Sequence, residues 1–249
     1  HPGQVVLIPM DMLSDRYLPK DSELRQDYER RLEEAQRYRA QRVQTRNLEG
    51  VVVVLDPGHG GQDQGAAKAY YGLYEDEINY DIVCRIKKIL EETTAARVYV
   101  TTIDRSLGYK AVDRTRFVHD EDEELRTTPH FTNLDGNKTS LNLRWMLANQ
   151  IYDHELSQGT DARKIVFTSI HTDWLYNEAM RGAMVYIPGA KNRRSEEAPS
   201  GSAYNSCVEG RNQRVFQCSA SDRTRDEAMS RNFASTFLDC LGKHDPPIQ

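Results

Sequence analysis

Val51 to Gly65 reads VVVVLDPGHGGQDQG. A run of four β-branched valines and a leucine, too short for a helix and uninterrupted by polar residues, predicts a strand buried on both faces of a parallel sheet. It ends in Asp56, Pro57, Gly58, His59, Gly60 and Gly61, a turn poor in side chains. Open α/β sheets place their ligands at this carboxyl end of a strand. One imidazole, that of His59, stands among the glycines, and three readings of it are open. It is a loop histidine bonded to backbone. It belongs to a phosphate cradle, which the lack of G-x-x-x-x-G-K-[ST] and of G-x-G-x-x-G disfavours. Or it ligates a metal, which requires further ligands elsewhere in the chain.

Downstream, Glu75 to Glu92 predicts a helix with Ile78, Ile82, Ile86 and Ile89/Leu90 on one face. Its first turn carries Glu75, Asp76 and Glu77, where acids complement the helix dipole. Residues 97 to 102 (RVYVTT) alternate as a strand, so strand, helix and strand make a βαβ unit with a right-handed crossover. Lys164 to Ile170 (KIVFTSI) is another apolar strand and runs directly into His171, Thr172 and Asp173. A histidine after one strand, an acid opening the next helix and a histidine after another strand can meet at one rim of a parallel sheet. Two nitrogens and one carboxylate are the set of a catalytic zinc site, which leaves a coordination position for water. Asp56 and Asp63 are candidates for the carboxylates that orient an imidazole from behind.

The remaining segments are more polar. Residues 4 to 9 (QVVLIP) predict a short edge strand, and Asp21 to Arg46 a charged helix capped by Asp21 or Ser22. Its thin stripe of Leu24, Tyr28, Leu32, Ala35 and Tyr38 fits a solvated helix lying against the domain, or an arm for a partner, better than a coiled coil. Ser106 to Ser140, with the acidic run Asp120 to Glu124, reads as an insertion or lid. Ser140 is placed as the cap of a helix through Leu156 with Leu143, Leu147 and Ile151 inward. Pro188 to Arg225 reads as a solvated loop, and Asp226 to Leu241 as a helix with Met229, Phe233, Phe237 and Leu241 inward. The four cysteines form no C-x-x-C pair. Cys84 and Cys240 read as core thiols, while Cys207 and Cys218 share one polar loop and can pair in an oxidising compartment.

Composition sets the outer bounds. The 249 residues, 38% hydrophobic and 29% charged, allow one elaborated domain or two small ones in a soluble protein. No apolar run approaches the about 18 residues of a membrane span. A net charge of -5 argues against a nucleic-acid partner. The chain starts at His1 without an apolar targeting segment, so it reads as processed or excised, and no signal gives its compartment.

Four segments taken together resemble a known family: LDPGHGGQDQGA (55 to 66), EDEINYDI (75 to 82), LNLRWMLAN (141 to 149) and FTSIHTDW (167 to 174). They are similar to the zinc-dependent N-acetylmuramoyl-L-alanine amidases of the Amidase_3 type. That family carries a D-P-G-H-G-G turn, a glutamate four residues before an asparagine on the next helix, an R-x-x-x-A-N helix, and S-I-H after a strand. Gly182 to Ile187 (GAMVYI) resembles the family's next strand. The resemblance runs from Val51 to about Gly242, with order and spacing agreeing across levels.

The resemblance implies one Zn2+ held by His59, Glu75 and His171, with Glu75 chosen over Glu77 because it lies four residues before Asn79. Arg144 and Asn149 take structural positions. The fold implied is α/β, a mixed, mainly parallel sheet with helices on both faces. It forms a single amidase-like domain from 49 to 249 after an N-terminal extension (1 to 48), with insertions at about 106 to 140 and 188 to 225. The substrate implied is peptidoglycan or its muropeptides, cut between N-acetylmuramic acid and L-alanine, in an extracytoplasmic place, periplasmic or secreted.

Departures qualify the expectation. The family's further glutamate, its general base, follows the last strand, whereas Gln249 comes eight residues after Leu241. The expected base and C-terminal strand are therefore placed beyond Gln249. The alternative is a non-catalytic, peptidoglycan-binding or regulatory relative that binds zinc without the base, and a weaker third reading is a zinc peptidase. Asp173 and Thr102 stand where the family often has asparagine and arginine. Some members carry a segment in the second insertion that blocks the zinc until an activator protein moves it, so Glu196 or Glu197 is the candidate autoinhibitory ligand.

Overall fold

The computed structural model describes residues 15–40, 47–174, 182–192, 196–197, 199–212, 215–216 and 219–243. In chain order the elements are α1 (Glu23–Ala40), β1 (Val52–Pro57), β2 (Ala67–Lys68), β3 (Leu73–Tyr74), α2 (Glu75–Thr93), β4 (Arg97–Val100), β5 (Thr102–Asp104), β6 (Glu123–Leu125), α3 (Lys138–Ser157), β7 (Ile165–Ile170), β8 (Glu196–Glu197), α4 (Val208–Asn212), β9 (Val215–Phe216) and α5 (Ala220–Gly242). One compact unit draws on 43–178 and 196–216, the other on 1–42, 179–195 and 217–249.

The first unit is built on a parallel sheet of order β4-β1-β7. Val52 to Leu55 pair with Arg97 to Val100, and Val52 to Pro57 with Ile165 to Ile170. The valine run is central, as its composition predicts: Val52, Val54 and Leu55 are at most 3% exposed. Alternation divides its faces. Val53 and Leu55 join Val98, Val100 and Ile170 against Val83 and Ile86 of α2. Val52, Val54 and Asp56 face the α3 side with Arg97 and Tyr99. Helices therefore cover both faces of a mainly parallel α/β sheet, as expected.

Helix α2 matches its predicted span, but its deepest stripe is Asp76, Asn79, Tyr80, Val83 and Cys84 rather than the isoleucine row, and Ile89 is exposed. The stripe turns because polar groups are recruited inward. Asn79 Nδ2 donates to Gly58 O (3.2 Å), and Tyr80 donates to Gly108 O (2.7 Å) while accepting from Asp104 N (2.9 Å). The cap of α3 is Asn137, whose Oδ1 accepts from the Thr139 and Ser140 amides, not Ser140 as expected. Leu143 and Leu147 are buried on α3 as predicted, with Met146 between them.

Parts of both insertions are packed among the described residues. Strands β5 and β6 pair antiparallel, and Leu125 and Leu134 join Leu143, Met146, Tyr204 and Cys207 in a second core. Glu209, 3% exposed, accepts from the Thr128 amide at 2.8 Å and ties α4 to the first insertion. Short apolar anchors spaced among polar residues lack a period, which is why the sequence does not reveal this core. Residues 182–187, which resemble the family's next strand, form no strand, since an apolar segment becomes one only where a neighbouring edge pairs with it.

Cys84 and Cys207 are buried free thiols, but Cys240 is exposed, contrary to its reading as a core thiol. Cys218 lies outside the described residues, as do the strand expected at 4 to 9, residues 41 to 46 of the first helix and the side chains of Leu32, Ala35 and Tyr38. The backbone of Glu196 and Glu197 pairs with Val215 and Phe216, and the side chains of both glutamates are also outside the description.

In the second unit α1 packs on α5, with the Arg231 guanidinium 5.9 Å from the centre of the Tyr28 ring. Ser22 Oγ accepts from the Arg25 amide, so the serine caps α1. The buried stripe of α5 is Glu227, Ala228 and Ala234; Phe233 and Phe237, expected inward, are over 40% exposed and stack on each other. Glu227 draws the helix round, accepting from the Ala190 amide and from Arg231 at 2.8 Å.

Glu155, 2% exposed at the end of α3, accepts from Arg97, from Tyr99 (2.7 Å) and from Thr160 (2.8 Å). The Arg97 hydrogen bond leads in pulling its carboxyl down to about 2 from 4.5, outweighing the effect of burial. Because the folded value lies below the unfolded one, the stabilisation is complete above pH 4.5 and is lost as pH falls from there toward 2. Glu155→Gln is expected to destabilise the protein by about 1–3 kcal/mol at pH 7. Urea unfolding of both proteins should show that gap closing on acidification.

Candidate metal centre

Three side chains from three elements meet at the carboxyl end of the sheet. His59 stands in the turn after β1 with φ 65°, a left-handed conformation that non-glycine residues seldom adopt. The turn is held against this strain from several sides. Gly58 N donates to Ile170 O (2.8 Å), and Gly60 and Asp63 exchange backbone bonds of 2.9 and 3.1 Å. Arg144 donates to Asp56 Oδ1 (2.8 Å), to Pro57 O (2.7 Å) and to His59 O. Glu75 opens α2, and its Oε2 accepts from the Ala66 amide at 2.8 Å. His171 follows the last residue of β7.

The donor atoms of His59, Glu75 and His171 lie within 4.8 Å of one another. His59 Nε2 is 3.4 Å and His171 Nδ1 3.0 Å from Glu75 Oε1, and the two rings meet edge to face with centroids 5.0 Å apart. Asp63 Oδ2 lies 3.0 Å from His59 Nδ1. A carboxylate only accepts, so the Nδ1 proton points to Asp63 and the Nε2 lone pair is left facing Glu75. Burial pushes the Glu75 carboxyl up, but the Ala66 amide and the nearby His59 and His171 outweigh it and hold the group below its usual value.

The surroundings fit a metal ion on steric grounds too. A Cβ on Gly58 would stand 2.2 Å from His171 Cε1, and one on Gly65 (φ 63°) 2.6 Å from His59 Cδ2 and 2.8 Å from Glu75 Oε2. Both glycines are required for the two imidazoles and the carboxylate to close on one point. Two nitrogens and one carboxylate oxygen, borderline in softness, suit zinc better than a hard cation.

The two acids placed behind the ligands separate in role. Asp63 orients His59 directly. Asp56, 5% exposed, accepts instead from Arg144, Thr101 and Ser169 (2.7 Å), so it acts on His59 through the Arg144 bond to the turn backbone. Arg144 thus holds the turn through buried hydrogen bonds. Asn79, the marker residue on α2, braces the site by joining Gly58 O to Thr172 Oγ1 (3.1 Å). A cleft of about 250 Å³ opens in front, with His59, His171, Leu134, Leu141, Trp145 and Phe167 in its wall. The sequence reading gave no role to Thr101, which follows β4, and took Ser169 only as part of the S-I-H motif at the end of β7.

The sequence profile Amidase_3, described as N-acetylmuramoyl-L-alanine amidase, matches residues 53–245. Over 87 residues the chain is 34% identical to an endolysin of Bacillus phage SPP1, a match that covers 35% of this chain and 31% of the endolysin. The chain therefore spans about a third of that relative's length.

Two substitutions test the centre. Asp63→Ala should lower zinc affinity by about 10–100-fold through loss of the His59 tautomer, read by competition with a chromophoric chelator. Gly65→Ala should lower it further, because the new methyl group meets His59 and Glu75.

Proposed function

We propose, because this chain belongs to the N-acetylmuramoyl-L-alanine amidase family, that it hydrolyses the amide between N-acetylmuramic acid and the L-alanine of the stem peptide in peptidoglycan, using one Zn2+ held by His59, Glu75 and His171. The observation that carries this reading is the convergence of those three donors at the open rim of the sheet. Zinc, when bound, polarises the amide carbonyl and lowers the pKa of water. The chain's own residues prepare the place. Asp63 keeps the His59 Nε2 lone pair available, and Arg144 locks the turn that aims it. Leu141, Trp145 and Phe167 give the cleft an apolar wall suited to the lactyl and alanyl methyl groups and to the apolar face of a sugar ring.

Hydrolysis also needs a carboxylate that takes a proton from water and returns it to the leaving amine. The two carboxylates lining the cleft are engaged, Asp56 by Arg144 and Asp63 by His59. We assign the base to a glutamate outside the described residues, as the family pattern implies. The same engagement favours, as a second reading, a relative that binds peptidoglycan and zinc without cleaving. The endolysin likeness supports an extracytoplasmic site of action at the cell wall. Among the described residues no helix is long and apolar enough to cross a membrane.

Incubation with defined muropeptides, analysed by mass spectrometry, decides between these readings. Release of intact stem peptide, abolished by a chelator, restored by zinc and lost in His171→Ala, is the expected result. Cleavage within the stem would identify a peptidase. No release from folded, zinc-loaded protein that still retains muropeptides would favour the binding reading.

A further inference from the structure

Beside the zinc candidate lies a second cluster of charge for which the amidase reading has no use. Glu77, Asp120 and Glu123 bring carboxylate oxygens within 4.8 Å of one another, and Asp76, Glu77 and His119 do the same with two carboxylate oxygens and a ring nitrogen. Each carboxylate has one oxygen committed to its own scaffold. Glu77 Oε1 accepts from Asp120 N (2.9 Å), Asp120 Oδ1 from Asp122 N (3.1 Å), Glu123 Oε2 from Gly61 N (2.9 Å), and Asp76 Oδ2 faces His119 Nδ1 (2.8 Å). The oxygens left over on the two most buried acids are Glu123 Oε1 and Asp76 Oδ1. Both lack a hydrogen-bond partner, on residues only 2% and 1% exposed.

Unpaired carboxylate oxygens in the interior are costly, and several of like charge together are costlier. The neighbouring arginine does not relieve them, since Arg105 pairs with Asp122 (3.0 Å) and Glu124 (3.4 Å). Burial, with the charges of Asp76 and Asp120 added, pushes the Glu123 carboxyl up to about 7. Two oxygens on one calcium ion stand at most about 4.6–5.2 Å apart, twice the usual bond length, so the observed spacing admits such an ion. Carboxylate oxygens are the donors hard cations prefer. Asp120 is exposed and leaves one side open to water, which completes the coordination calcium needs.

We propose that Glu77, Asp120 and Glu123 form a site for a hard divalent cation, calcium, distinct from the His59–Glu75–His171 centre. The bound ion clamps the 120–123 segment onto the first turn of α2. Through the Glu123 bond to Gly61 it also stiffens the turn that carries His59.

Calorimetric titration of calcium chloride into the zinc-saturated full chain tests this, with thermal unfolding as the second readout. The expected result is one calcium per chain and a higher Tm with calcium. Asp120→Asn, an exposed substitution, should weaken binding at least tenfold and remove the calcium-dependent rise with zinc content unchanged, and Glu123→Gln should likewise weaken calcium binding at least tenfold. Absence of calcium binding to the native chain, or undiminished binding by both variants, would overturn the proposal.

Discussion

The buried pair of Arg144 and Asp56 is the constraint on which the site depends. Asp56 ends the apolar run of β1, and its two oxygens gather Arg144 from α3, Thr101 beyond β4 and Ser169 from β7. The arginine in turn donates to the carbonyls of Pro57 and His59. A buried ion pair is weak evidence for stability, since desolvation offsets much of the attraction. Its value here is geometric. A planar guanidinium with fixed donor directions allows the turn one shape and brings strands and helix to a common point.

From that shape the candidate metal centre follows by sterics as much as by chemistry. His59 is held at positive φ in a turn that also needs Gly58 and Gly65 to lack a side chain. Backbone strain of this kind persists only where the surroundings over-determine it, and it gathers at functional sites. Asn79 repeats the logic at one remove, joining the glycine turn to Thr172 beside the second histidine.

The first insertion shows how a polar segment becomes structure. Leu125 and Leu134 anchor it in the core shared with α3, and once anchored it carries Glu123 to the glycine turn and Asp120 to α2. The acidic run and the acids of the first α2 turn each have a bland reading alone, as a solvated face and as dipole compensation. Packing brings them together and leaves oxygens without partners.

By itself the sequence determined the elements with strong periodicity: the double-sided burial of β1, the βαβ unit, the spans of α2 and β7, and the candidate ligand types at strand and helix ends. It did so because burial on a parallel sheet demands an apolar run, and a site at its rim demands glycine and imidazole directly after that run. Tertiary structure alone decided which face of α2 is buried, since polar partners such as Gly58 O and Asp104 N decided it rather than hydrophobicity. It likewise decided that Asp63 and not Asp56 meets His59, that 182–187 is no strand and that Leu125, Leu134, Tyr204 and Cys207 of the insertions join a core. Those outcomes rest on contacts between residues far apart in the chain, which no local pattern encodes.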